Sequence, residues 1–195
     1  MLQISTTVKL IPFDEKLKLD KSKYKYEYDK FFEITCTSKV EKYLPILYRK
    51  SRTESINVFT NLLRDASANS YMFYSIKKLI NYEWETIGYL FFAHPKLKSA
   101  TDSDGNPLPC WALTFILSPN YERKGIMLDS SRKLLEHINN SHKINCFIAV
   151  VDKENIQSIK LLHKLNFEKV RWSDNDPRIL YGKLKEPKEI VQIPN

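Results

Sequence analysis

The sequence predicts an α/β fold, a mixed sheet flanked by helices. Two nearly continuous apolar runs, Trp111–Leu117 and Ile144–Val151, bracket Gly125–Asn139, where Met127, Leu134, Leu135 and Ile138 fall on one helical face. Such runs on either side of an amphipathic helix predict two parallel strands buried on both faces, a βαβ unit. Ahead of them, Tyr71–Leu79 and Glu85–Ala93 are β-rich runs joined by a polar turn at Asn81–Glu83, which reads as a hairpin.

From the N-terminus, Gln3–Phe13 reads as a strand and the charged Asp14–Lys23 as a loop. Tyr24, Tyr26 and Tyr28 alternate with charged residues, a period of two that predicts a strand continuing into Phe31–Thr35. Interleaved with lysines, these tyrosines also suit stacking on bases, but a half-buried strand face is the simpler reading. Ser38 fits a helix N-cap before Val40–Lys50, and Glu54–Ala66 is a second helix ended at Asn69. Lys96–Pro109, with Asp102, Ser103, Asp104, Gly105 and Asn106, is a surface loop. After the βαβ unit come a helix at Asn155–Leu165, closing strands at Phe167–Trp172 and Ile179–Leu184, and a tail from Pro187.

A chain of 195 residues fits one domain, with 43% hydrophobic residues to build its core. The net charge of +8 favours acidic partners, but it is spread along the chain rather than gathered in a basic arm, as on an ordinary solvated surface. Cys36, Cys110 and Cys146 show no metal-ligand spacing and predict reduced, buried thiols. Neither a signal peptide nor a transmembrane-length apolar run is present, which predicts a cytoplasmic protein without membrane attachment.

The chemistry concentrates at two strand-to-helix junctions. In the first, Leu117-Ser118-Pro119-Asn120-Tyr121-Glu122-Arg123-Lys124-Gly125-Ile126 carries the chain from the first buried strand into a helix. The first N–H groups of a helix lack partners in the helix, and with the positive end of its dipole they attract anions. Gly125 leaves backbone bare for a phosphate, and Arg123 and Lys124 add positive charge. A plain β-turn-α connection with a convenient glycine is the alternative for this segment alone. In the second junction, Asn155 follows the second buried strand as an N-cap, with Ser158 at the third helical position.

Together the two segments resemble the GNAT N-acyltransferase superfamily. Leu117, Pro119 and Gly125 fall on its coenzyme A motif, a strand ending Val-x-Pro followed by Arg/Gln-x-x-Gly-x-Gly/Ala. Asn155, Ser158, Leu161 and Phe167 fall on or near its Asn-x-x-Ala-x-x-Leu-Tyr-x-x-x-Gly-Phe motif. The resemblance implies the GNAT fold, with Trp111–Leu117 and Ile144–Val151 splaying apart around the cofactor. It also implies a domain at 31–184, an N-terminal extension at 1–30 and a tail at 185–195. Acetyl-CoA or another acyl-CoA would be the co-substrate, with no metal, held by Leu117, Arg123, Lys124, Gly125, Ile126, Met127, Asn155 and Ser158. The implied reaction is direct attack by a primary amine, on a small molecule, a protein or an aminoacyl-tRNA, and a homodimer is compatible with it.

Three residues depart from the pattern. Glu122 stands at the Arg/Gln place, Met127 at the second small place, and Leu162 where the family often keeps a tyrosine as general acid. They raise an alternative, a weakly active or inactive GNAT-fold module that binds acyl-CoA or a partner. Asn166 at the usual glycine is milder, because asparagine tolerates the left-handed conformation. No carboxylate precedes the coenzyme A turn on its own strand, leaving Glu85, Asp102 and Asp104 as base candidates. The catalytic residues are thus open.

Overall fold

The computed structural model describes residues 1–13, 24–67, 71–93, 100–101, 107–108, 110–141, 144, 146–170 and 176–184. The expected Asp14–Lys23 loop, the helix stop at Asn69, most of Lys96–Pro109 and the tail lie outside them.

The strands are β1 (Leu2–Ser5), β2 (Val8–Pro12), β3 (Tyr71–Ile80), β4 (Glu83–Ala93), β5 (Ala100–Thr101), β6 (Pro107–Leu108), β7 (Cys110–Leu117), β8 (Cys146–Asp152), β9 (Glu168–Lys169) and β10 (Arg178–Leu184). The helices are α1 (Lys25–Thr35), α2 (Ser38–Tyr43), α3 (Arg52–Ser67), α4 (Ile126–Ser141) and α5 (Ile156–Lys164). Eight strands form a mixed sheet in the order β1-β2-β3-β4-β7-β8-β10-β9, and β5 and β6 pair separately. Among the described residues no helix is long and apolar enough to cross a membrane.

The chain divides into two compact units, Met1–Phe91 with Phe115–Ser130, and Phe92–Thr114 with Ser131–Asn195. In the first, the expected single strand at Gln3–Phe13 is two, since β1 turns back on β2 with Leu2 opposite Leu10. The second correction is larger. The Tyr24–Thr35 stretch is helical from Lys25 rather than extended, because Tyr24, Tyr28, Phe31 and Ile34 are buried at helical spacing while Tyr26 is 43% exposed. A strand would have put Tyr26 beside the other two tyrosines. Thr37, not Ser38, caps α2, its Oγ1 accepting from Val40 N at 3.3 Å. That helix stops at Tyr43 instead of reaching Lys50, two residues before Pro45, which disfavours helix at the residue preceding it. The hairpin is as expected: Asn81 and Tyr82, with φ of 47° and 67°, make the two-residue turn between β3 and β4. An aromatic core gathers around Phe59, whose ring lies 5.0 Å from Phe31, 5.3 Å from Phe13 and 5.4 Å from both Tyr28 and Phe73.

In the second unit β7 and β8 are parallel, as the apolar runs predicted. Among the described residues their pairing covers Cys110–Ala112 against Cys146–Ile148, although β7 continues to Leu117 and β8 to Asp152. Burial on both faces fails in both strands: Trp111, Ala112, Thr114 and Phe115 on β7 are half-buried, and Val150 on β8 is 40% exposed. The expectation of reduced thiols is corrected for two of the three cysteines. Cys110 and Cys146 face each other in register, with Cα atoms 4.4 Å apart, and form a disulfide, while Cys36 is free. A sequence separation of 36 residues concealed a pairing that only strand register reveals. Beyond β8, β10 runs antiparallel to it from Arg178↔Asp152 to Leu184↔Cys146.

Candidate active site

In the first unit, Ser118 N at the end of β7 donates to Ile87 O on β4 at 2.8 Å. Gly88, the next residue on β4, lies so close that a Cβ there would sit 2.5 Å from Ile116 O and 2.8 Å from Leu117 Cδ1. This glycine, not singled out from sequence, seats Leu117. A short 3-10 turn at Pro119–Tyr121 follows, with Glu122 N donating to Pro119 O at 3.2 Å.

The backbone then takes an unusual path. Arg123 has φ of 59° and Gly125 of 76°, both left-handed. For arginine this costs about 1 kcal/mol, and glycine accepts it freely. The helical ladder of α4 begins with Asp129 N donating to Gly125 O at 3.0 Å, so the amides of Ile126, Met127 and Leu128 precede it. Arg123, Lys124 and Gly125 are exposed, while Ile126 and Met127 are buried. A Cβ at Gly125 would meet nothing nearer than Asp129 Oδ2 at 3.8 Å, so the space beside it is open. Lys124 Nζ rests 5.5 Å from the centre of the Tyr121 ring.

Two of the departures acquire an explanation here. Met127 is buried, whereas Arg123, Lys124 and Gly125 are exposed. Glu122 is paired, with Oε1 2.6 Å from Lys39 Nζ on α2.

The first unit also holds a buried charged cluster. Glu27 on α1 accepts from Lys77 Nζ at 2.6 Å and from Thr86 Oγ1 at 2.9 Å, and Tyr26 OH accepts from Thr86 N at 3.1 Å. Reading Tyr24–Thr35 as a strand hid Glu27, because only a helix turns it inward with Tyr28 and Phe31. Beside the cluster, burial and the Glu27 carboxylate push the Tyr89 phenol well above its ordinary value. Of the base candidates, Glu85 is half-buried on β4, and Asp102 and Asp104 lie outside the described residues.

In the second unit, Asn155 caps α5 as expected, its Oδ1 accepting from Ser158 N at 3.3 Å. Asn155 N donates back to Asp152 O at the end of β8, at 2.9 Å. Leu162 is fully buried. His163 turns to β10, with Nε2 3.3 Å from Tyr181 OH, and burial raises the Tyr181 phenol above its ordinary value. Asn166 has φ of 60°, the left-handed conformation anticipated at that place. Lys183 Nζ donates to Leu165 O at 2.7 Å, and burial lowers its ammonium below the ordinary lysine value.

Comparison with known proteins decides the family. A profile described as Acetyltransferase (GNAT) domain matches residues 17–168. The chain belongs to the GNAT acetyltransferase family. No curated protein sequence matches it significantly. Several solved structures share the GNAT fold. An acetyltransferase from Salmonella typhimurium that modifies the N-terminal serine of ribosomal protein L7/L12 superposes with a TM-score of 0.68 at 16% identity, covering 95% of this chain and 99% of that one. The microcin C7 self-immunity acetyltransferase MccE, solved with acetyl-CoA and AMP, gives 0.65 at 14% identity, over 93% and 94%. The aminoglycoside acetyltransferase AAC(6')-Ib, solved with coenzyme A, gives 0.65 at 15% identity, over 92% and 95%. At these identities the likeness is one of fold.

Proposed function

We propose that this GNAT protein transfers an acetyl group from acetyl-CoA to a primary amine by direct attack. The observation that carries the reading is the turn into α4. Left-handed Arg123 and Gly125, both exposed, precede a helix whose first amides lie outside its ladder. Open space at Gly125 suits a pyrophosphate, with the amides of Arg123, Lys124, Gly125, Ile126 and Met127 as donors. The early end of β7–β8 pairing and the exposed Val150 suit an extended arm lying along strand edges that no longer pair with each other. In the first unit Leu117 would offer its backbone to the cofactor; Asn155 and Ser158 are the candidates of the second unit, carried by the sequence resemblance.

Acetyl-CoA supplies an activated thioester carbonyl. The amine nitrogen bonds to that carbon, a base takes the amine proton, and the carbon–sulfur bond breaks to release the thiolate. Leu162 has no proton to give, so at that position the sulfur leaves as the thiolate.

The acceptor is a small molecule, a protein or an aminoacyl-tRNA. The Salmonella typhimurium protein acts on a protein N-terminus, and the AAC(6')-Ib structure is named for aminoglycoside acetylation. The test is release of free thiol from acetyl-CoA with a panel of N-terminal peptides, aminoglycosides and aminoacyl-tRNAs. Amine-dependent release is expected. Silence across the panel, from protein shown to bind acetyl-CoA, would count against the transferase reading.

A further inference from the structure

The acidic residue at the coenzyme A turn is not left to repel a phosphate. Glu122 stands immediately before left-handed Arg123, with Oε1 2.6 Å from Lys39 Nζ. Lys39 arrives from α2, 83 residues earlier in sequence. The Thr37 cap on Val40 N and the burial of Val40 itself, on either side of Lys39, hold the start of that helix. Around the turn, Glu122 and Asp129 cancel the charges of Arg123 and Lys124, so Lys39 tips the balance to positive.

We propose that Lys39 is a positioning residue for the donor site: it holds the Glu122 carboxylate and neutralises it, and so sets the affinity of the Glu122–Met127 turn for the phosphates of coenzyme A. The inference rests on the reading of that turn as the coenzyme A site. It gives a helix otherwise outside the turn a part in donor binding.

The test is calorimetric titration of coenzyme A into wild type, Lys39→Met, Glu122→Gln and the double variant, at about 50 mM and about 500 mM salt. Lys39→Met is expected to weaken binding roughly 3- to 10-fold at low salt, with a smaller difference at high salt. Glu122→Gln alone binds as well as wild type or better, and the double variant returns to within about twofold of wild type. A merely structural role would lower the melting temperature of Lys39→Met without this salt dependence or rescue. Equal binding by wild type and Lys39→Met overturns the proposal. So does a double variant as weak as Lys39→Met, since Lys39 would then grip the phosphate itself. Should Lys39→Met not fold, weaker binding by Glu122→Gln is enough to overturn it. A wild type that binds no coenzyme A overturns instead the reading on which the inference rests.

Discussion

Two helices of this protein follow the parallel strands β7 and β8, and they open in opposite ways. At α4 the chain passes through left-handed Arg123 and Gly125 and leaves exposed backbone beside the first amides. At α5 Asn155 closes the helix with its own side chain on Ser158 N. The first opening leaves its first amides beside open space at Gly125, the feature on which the proposed anion site rests; the second answers one of its own donors internally. The segment that carries the departures Glu122 and Met127 thus has the more open geometry. The better match, at Asn155, performs a visible structural task before any ligand is considered.

Substitutions at and around the two openings separate these roles. Gly88→Ala is expected to have the largest effect, about 2–3 kcal/mol of stability lost in urea denaturation, because its Cβ meets backbone at Ile116 and cannot be accommodated by a rotamer change. A loss below about 0.5 kcal/mol would show that the end of β7 is not seated this way. Next comes Gly125→Val. A β-branched residue at φ of 76° is strained, and its side chain enters the open space, so acetyl-CoA affinity should fall roughly 10- to 100-fold by calorimetry. Asn155→Ala should cost about 1 kcal/mol of stability as a lost N-cap, with Asn155→Asp retaining most of it. If Asn155→Ala instead leaves the melting temperature unchanged and abolishes binding, the contrast between the two helices is wrong. The smallest effect belongs to His163→Ala, about 0.5–1 kcal/mol from the lost contact with Tyr181, with donor binding unaltered.

The βαβ unit, the β3–β4 hairpin and the cap at Asn155 were legible in the sequence because each follows from local periodicity or local chemistry. α1 was not, because Tyr24, Tyr26 and Tyr28 satisfy a period of two while Tyr24, Tyr28 and Phe31 satisfy a helical one. Packing against Phe59 settles the choice in favour of the helix. With α1 misread, Glu27 and its contacts with Lys77 and Thr86 were invisible. The Cys110–Cys146 bridge and the Lys39–Glu122 pair depend on residues brought together over 36 and 83 positions, which no local pattern encodes. Gly125 was legible as a bare position before a helix. Gly88 was not, since its role is a close approach to another strand. Met127 and Glu122 read as defects in the donor turn; burial of one side chain and pairing of the other account for both.

The central claim is that the opening of α4 receives the phosphates of acetyl-CoA. Calorimetric titration of acetyl-CoA into wild type and Gly125→Val tests it most directly. One molecule bound per chain, with affinity reduced about tenfold or more in Gly125→Val while the variant stays folded, is the predicted result. No binding by wild type at millimolar acetyl-CoA, or equal binding by the two proteins, would contradict it.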